Sequence, residues 1–252
     1  MRKLIGPLFG ALLAMSAVSA QADTNSTPPG APCSKNNGNP CNGNNGNPGD
    51  QGNVDPGTTV IDDNPPPIDL AMPAVSDRGV YISQIGDSNA ANVVQTAPNA
   101  YAEIRQDGDS NDADVAQKGS GTAYAKASQS GTGNFARLRQ YGSGQNVVYA
   151  MQDGNNNSMR SSQNATGAMY NGARMSQTGN SNAMDLEQDG SDNLALLTQD
   201  GNNNGMTAVQ IGDGNRLQWT QDGNNLSNLL VTQTGGSDAG GQLMITQTNG
   251  GH

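Results

Sequence analysis

The sequence predicts an all-β fold: a thin, cross-β-like two-sheet β-solenoid of about seven and a half strand-turn-strand coils, preceded by a disordered leader. Three observations predict it: a glutamine that returns about every 11 residues, apolar residues that alternate with polar ones ahead of it, and a glycine shortly after it. The glutamines are Gln84, Gln95, Gln106, Gln117, Gln129, Gln140, Gln152, Gln163, Gln177, Gln188, Gln199, Gln210, Gln221, Gln233 and Gln247. Their spacings are 11, 11, 11, 12, 11, 12, 11, 14, 11, 11, 11, 11, 12 and 14. Fixed-period self-similarity marks a repeat architecture, in which no unit buries its own apolar face and each must stack on its neighbours.

Each strand is read backwards from its glutamine. The residue two before it is apolar at every repeat except Ser161, and the residue four before it is apolar throughout, from Val80 and Ile82 to Leu243 and Ile245. Charged side chains take the intervening positions, as Arg105, Arg139 and Glu187 one before, and Glu103, Asp114 and Lys126 three before. Such alternation is a strand with one face buried. A helix would put residues i and i+2 on opposite sides, which this pattern excludes.

The turns are as regular. Glycine stands two after the glutamine at Gly86, Gly108, Gly119, Gly131, Gly142, Gly154, Gly179, Gly190, Gly201, Gly212, Gly223 and Gly235, where a tight reversal calls for positive φ. Asparagine stands five after it at Asn89, Asn111, Asn134, Asn157, Asn182, Asn193, Asn204 and Asn215. A unit is thus a strand of about six or seven residues and a turn of four or five, and two units make a coil. Rungs about 4.8 Å apart give a body on the order of 35 Å long. The two spacings of 14 lengthen turns, where insertions cost least.

Composition excludes an ordinary globular core, since the chain is 33% hydrophobic and 4% aromatic with 34 glycines. Residues 1–22 read as a secretory signal peptide, with Arg2 and Lys3 before an apolar run from Leu4 to Val18 and small residues ahead of a cut after Ala22. That run is too short for a stable membrane span, so no membrane insertion is expected. Residues 23–78, rich in Asn, Gly and Pro, lack the 11-residue beat and are expected to be a disordered leader, with the repeat solenoid over 79–252. The net charge of −10 and the absence of a basic stripe argue against nucleic acid as a partner. Cys33 and Cys41 suit a local disulfide better than a metal site, because the single histidine is His252.

A buried glutamine is expensive alone, because its amide must find partners for two donors and an acceptor. Stacked on successive rungs, the fifteen glutamines satisfy one another as a ladder along the axis. Asn89, Asn111, Asn134, Asn157, Asn182 and Asn204 are expected to do the same on the opposite edge of the core. Residues 248–252 supply no capping helix after the last rung, so its edge is expected to be open to another subunit.

An enzyme is not expected: Glu103 and Glu187 are the only glutamates and fall on the outer face, and no Ser, His and Asp set converges. Neither metal nor cofactor is called for. A calcium-binding β-roll is the chief rival function, but its repeat is about nine residues and not 11. A monomeric solenoid that binds or adheres to a surface is a second. An ice-binding array would need uninterrupted outward threonine, whereas Thr198, Thr220, Thr232 and Thr246 form a broken run. Trp219 falls on an inward position as core filling, while Tyr81, Tyr101, Tyr141 and Tyr149 fall on outward or turn positions suited to lateral contacts.

The combined spacing resembles the curlin repeat of bacterial curli fibres, Ser-x5-Gln-x-Gly-x-(Gly/Asn)-Asn-x-Ala-x3-Gln. The nearest copies run Gln84-Ile85-Gly86-Asp87-Ser88-Asn89-Ala90-Ala91 to Gln95, Gln106-Asp107-Gly108-Asp109-Ser110-Asn111-Asp112-Ala113 to Gln117, and Gln129-Ser130-Gly131-Thr132-Gly133-Asn134-Phe135-Ala136 to Gln140. The match covers residues 80 to 247, and departs from the family in its longer leader, its mostly missing first serine and its greater number of repeats. The resemblance implies a secreted subunit that passes the periplasm and an outer-membrane secretion pore. It implies a nucleator subunit as partner, polymerisation with itself into an extracellular amyloid fibre, and a part in biofilm matrix and adhesion. Within that frame Asp87, Asp107, Asp109, Asp153, Asp189, Asp200, Asp213 and Asp222 are either gatekeepers against premature assembly or simply good turn formers.

Overall fold

The computed structural model describes residues 58–62, 70, 79–235 and 241–249 of the 252-residue chain. All of its regular elements are β-strands. Strand β1 covers Thr58–Asp62, and the next fifteen alternate between two sheets. The first sheet holds β2 (Gly79–Ile85), β4 (Asn99–Asp109), β6 (Thr122–Thr132), β8 (Gln145–Asn155), β10 (Tyr170–Asn180), β12 (Leu194–Asp200), β14 (Arg216–Asp222) and β16 (Gln242–Thr248). The second holds β3 (Ala90–Gln95), β5 (Asp112–Gln117), β7 (Phe135–Gly142), β9 (Ser158–Ala165), β11 (Ala183–Gly190), β13 (Gly205–Ile211) and β15 (Leu229–Thr234). Within each sheet every one of these strands pairs in parallel with the next but one along the chain. The result is the predicted β-solenoid.

The register sets glutamine on glutamine at every rung, as in Gln84↔Gln106, Gln106↔Gln129 and Gln117↔Gln140. A slip of one residue would turn every apolar side chain outward, so alternation and register enforce each other. Inward positions are closed off from solvent: Ile104, Val115, Leu138, Met159, Met175, Leu197, Leu217 and Trp219 are fully buried. β4, β6, β8 and β10 reach 11 residues, longer than the six or seven expected, because their turns pair as well, through Gly108↔Gly131, Gly131↔Gly154 and Gly154↔Gly179.

Ser161 is the one polar residue on the inner apolar columns, and its hydroxyl is buried without a hydrogen-bond partner. An unmatched buried hydroxyl costs about 1–3 kcal/mol, part of which alanine recovers. Ser161→Ala is therefore expected to raise the urea midpoint. A lowered midpoint would show that the hydroxyl is satisfied in solution.

Two expectations about the ends need correction. Residues 58–62, inside the stretch read as disordered leader, form β1, which pairs antiparallel with β16 through Thr58↔Thr248, Val60↔Thr246 and Asp62↔Met244. Thr58, Thr59, Val60 and Ile61 are β-branched and suited to an extended backbone, and β16 offers the edge they need. The last rung of the first sheet is thus covered, contrary to the expectation of an open edge. Leu70, also in the leader, accepts a hydrogen bond from the Tyr170 hydroxyl through its carbonyl. The signal segment, the rest of the leader with Cys33 and Cys41, and His252 lie outside the described residues.

Candidate functional site

The glutamines form two ladders rather than one, because successive strands belong to opposite sheets. In the first sheet Gln84, Gln106, Gln129, Gln152, Gln177, Gln199, Gln221 and Gln247 are joined by Nε2-to-Oε1 hydrogen bonds of 2.6–2.9 Å. In the second, Gln95, Gln117, Gln140, Gln163, Gln188, Gln210 and Gln233 are joined by bonds of 2.7–2.9 Å. Every bond runs the same way: the amide of each coil donates to the coil that follows it.

The other amide hydrogen crosses the core. Gln140 donates to the Tyr124 carbonyl at 2.9 Å and Gln163 to the Val147 carbonyl at 2.9 Å, each at the start of the preceding strand in the opposite sheet. The same bond recurs from Gln95 onto Gly79 through to Gln233 onto Arg216. Both donors of these buried amides are thereby satisfied, and each glutamine from Gln95 to Gln233 fastens one sheet to the other.

Asn89, Asn111, Asn134, Asn157, Asn182 and Asn204 do line one edge of the core, but they brace backbone more than each other. The Asn89 Oδ1 accepts from the Asn111 backbone N–H at 3.0 Å, while its Nδ2 donates to the Gly108 carbonyl at 2.6 Å. The pattern repeats up to Asn204, whose Oδ1 accepts from the Leu226 N–H at 3.0 Å. Asn193 and Asn215 lie on the other edge with Asn146 and Asn171. Asn146 and Asn171 escape a count from the glutamine, because they follow Gln140 and Gln163 by six and eight residues, not five.

A further amide ladder runs outside the expected columns. Three residues after the glutamine, Asn155, Asn180, Asn202 and Asn224 are linked by Nδ2-to-Oδ1 bonds of 2.9 Å on the exposed turn. Asp109 and Asp213 hold the equivalent place in other turns, accepting the Asp87 N–H at 2.8 Å and the Ser191 N–H at 2.7 Å. These carboxylates tie each turn to the turn of the preceding coil, a bracing role for aspartate in the stack. Among the described residues, no three His, Cys, Asp or Glu side chains cluster to hold a metal ion.

The outer faces carry columns of their own. Asp114, Arg137, Arg160 and Asp185 follow one another on the second sheet, with Arg137 3.4 Å from Asp114 and Arg160 3.5 Å from Asp185. On the first sheet Tyr101 stacks on Tyr124 at 5.2 Å, and Tyr149 follows at 5.4 Å. Burial holds the Tyr124 and Tyr149 phenols above their ordinary pKa, and Tyr149 adds to the rise at Tyr124.

The two ends differ. At the N-terminal end the core residues Val80 and Ile82 are 49% and 43% exposed, and no donor among the described residues reaches the Oε1 of Gln84 or Gln95. At the C-terminal end Ile245 and Gln247 are buried, the Gln233 amide donates to the Gly241 carbonyl at 3.0 Å, and among the described residues the Gln247 amide has only the Ser227 carbonyl at 3.4 Å. One end presents acceptors and bare apolar surface; the other presents the Gln233 and Gln247 amides, the latter on the strand that β1 covers.

Fold and ladders together define a repetitive β-solenoid, consistent with a structural or adhesin protein. No family model, curated protein or solved structure matches the chain.

Proposed function

We propose that the chain is a secreted structural subunit that assembles with itself into extracellular, curli-like amyloid fibres of a biofilm matrix. The observation that supports this best is the one-way ladder, whose first acceptors, on Gln84 and Gln95, are the groups that a last donor of another copy would need. Exposed strand edges with apolar side chains favour addition of further strands. Export through an outer-membrane pore and start-up by a nucleator subunit follow from the curlin resemblance.

A second reading, a monomeric solenoid adhesin, has its own support in β1, since a strand laid over the last rung is how soluble solenoids blunt an edge. The chain from Asp23 onward, freed of denaturant, distinguishes the two. Seeded, calcium-independent growth of thioflavin fluorescence is expected for the fibre subunit, with slower elongation in Gln84→Ala. A species that stays monomeric in the ultracentrifuge with or without seeds belongs to the adhesin.

A further inference from the structure

An odd number of strands follows β1. The winding begins with β2 in the first sheet and ends with β16 in the same sheet. The next vacant place along the winding is therefore in the second sheet, beside β15, and the one after it lies beside β16. A second copy stacked without rotation would put its β2 on β16, leaving the second sheet one strand short at every junction.

We infer that a second copy docks by its N-terminal end onto the C-terminal end of the first after a half turn about the axis, with its β2 beside β15 and its β3 beside β16. The inference rests on the fibre reading. The half turn is permitted because the strands of both sheets carry the same motif: glutamine, inward residues two and four before it and, except after Gln95, Gln163 and Gln247, glycine two after it. Extending the parallel register places Val80, Ile82 and Gln84 of the incoming copy against Leu229, Val231 and Gln233, and its Val93 and Gln95 against Ile245 and Gln247.

Hydrogen bonding is complementary at both ladders. Among the described residues the Gln84 and Gln95 oxygens lack donors, and the Gln233 and Gln247 amides are the groups that would supply them. The Gln233 amide gives its two hydrogens to the Arg216 and Gly241 carbonyls, both at 3.0 Å, so docking requires it to release or share the Gly241 bond. Gln163 makes a similar contact to the Asn171 carbonyl at 3.4 Å and still donates to Gln188 at 2.8 Å. Docking buries Val80 and Ile82, which are otherwise half exposed.

The place beside β16 is held by β1, so β3 of the incoming copy must displace it. β1 is the only antiparallel strand among the described residues, and its five residues leave Ile61 53% exposed. It is a guard that fits the edge without continuing the winding.

Cysteine crosslinking in the full mature chain, with Cys33→Ser and Cys41→Ser, tests the arrangement. Tyr81 and Leu230 are exposed, each three residues before its glutamine. Tyr81→Cys protein mixed with Leu230→Cys protein is expected to give a disulfide-linked dimer within fibres, and Tyr81→Cys mixed with Met244→Cys is expected to lose it. Fibres that crosslink through the second pair, or through neither, overturn the half turn alone. No pelletable assembly in any mixture overturns the fibre reading with it. A bridge between Val60→Cys and Thr246→Cys, register partners of β1 and β16, is expected to abolish growth when oxidised and to restore it when reduced. Undiminished growth with the bridge closed overturns the displacement of β1.

Discussion

Gln140→Ala is expected to destabilise the solenoid by on the order of 4–6 kcal/mol, comparable with the whole stability of a small domain. Gln140 is fully buried, donates to the Gln163 Oε1 and the Tyr124 carbonyl, and accepts from the Gln117 amide. Truncation takes one hydrogen-bond partner from each of three buried polar groups, at about 1–3 kcal/mol each, and adds a cavity. Gln84→Ala, at the exposed first rung, is expected to cost about 1 kcal/mol or less, because solvent replaces what is lost. Urea unfolding of the two variants measures the contrast. Equal and small losses would mean that the ladder is a by-product of the register and does not hold it.

Gly131→Val is expected to disrupt the coil as severely. Eleven of the twelve glycines predicted from their place after the glutamine have positive φ, Gly235 being the exception. Gly131 has φ +105, and a Cβ there would lie 2.1 Å from the Gly154 carbonyl oxygen of the next coil. That oxygen is backbone in a stacked turn and cannot step aside without breaking its own pairing. The strain and the clash together point to a loss of about 3–5 kcal/mol. Gly79→Ala is the control: its Cβ would meet only the Tyr101 ring at an ordinary 3.8 Å, with little change expected in the unfolding midpoint. If Gly131→Val unfolds at the same denaturant concentration as Gly79→Ala, the stacked turn is not as rigid as its geometry implies.

What the sequence displays openly is whatever repeats in step with the glutamine. The inward columns, the turn glycines and the asparagines five places on are each read by counting, because a solenoid converts linear period into vertical stacking. Asn146 and Asn171 hide because longer turns displace them from the count, although they fill the same edge as Asn193 and Asn215. The division into two ladders follows from the winding, but the one-way sense of the hydrogen bonds does not, since an amide can be turned either way in the same column. Strand β1 carries no beat at all. Its pairing is a contact between distant parts of the chain, and five β-branched and acidic residues in a Pro- and Gly-rich segment announce no partner. Leu226 is another silent device: it takes the place of an asparagine above Asn204, donates its backbone N–H to the Asn204 Oδ1, and has no side-chain amide to continue the column.

The uniform sense of the glutamine bonds, seven in one sheet and six in the other, gives the stack an electrical direction that its strands by themselves lack. Aligned amide dipoles add head to tail, as peptide dipoles do in a helix, leaving partial negative charge where the oxygens begin and partial positive charge where the hydrogens finish. Two copies meeting by like ends would repel, whereas unlike ends attract before any strand has paired. A polarised rod of this kind sorts its own encounters by orientation.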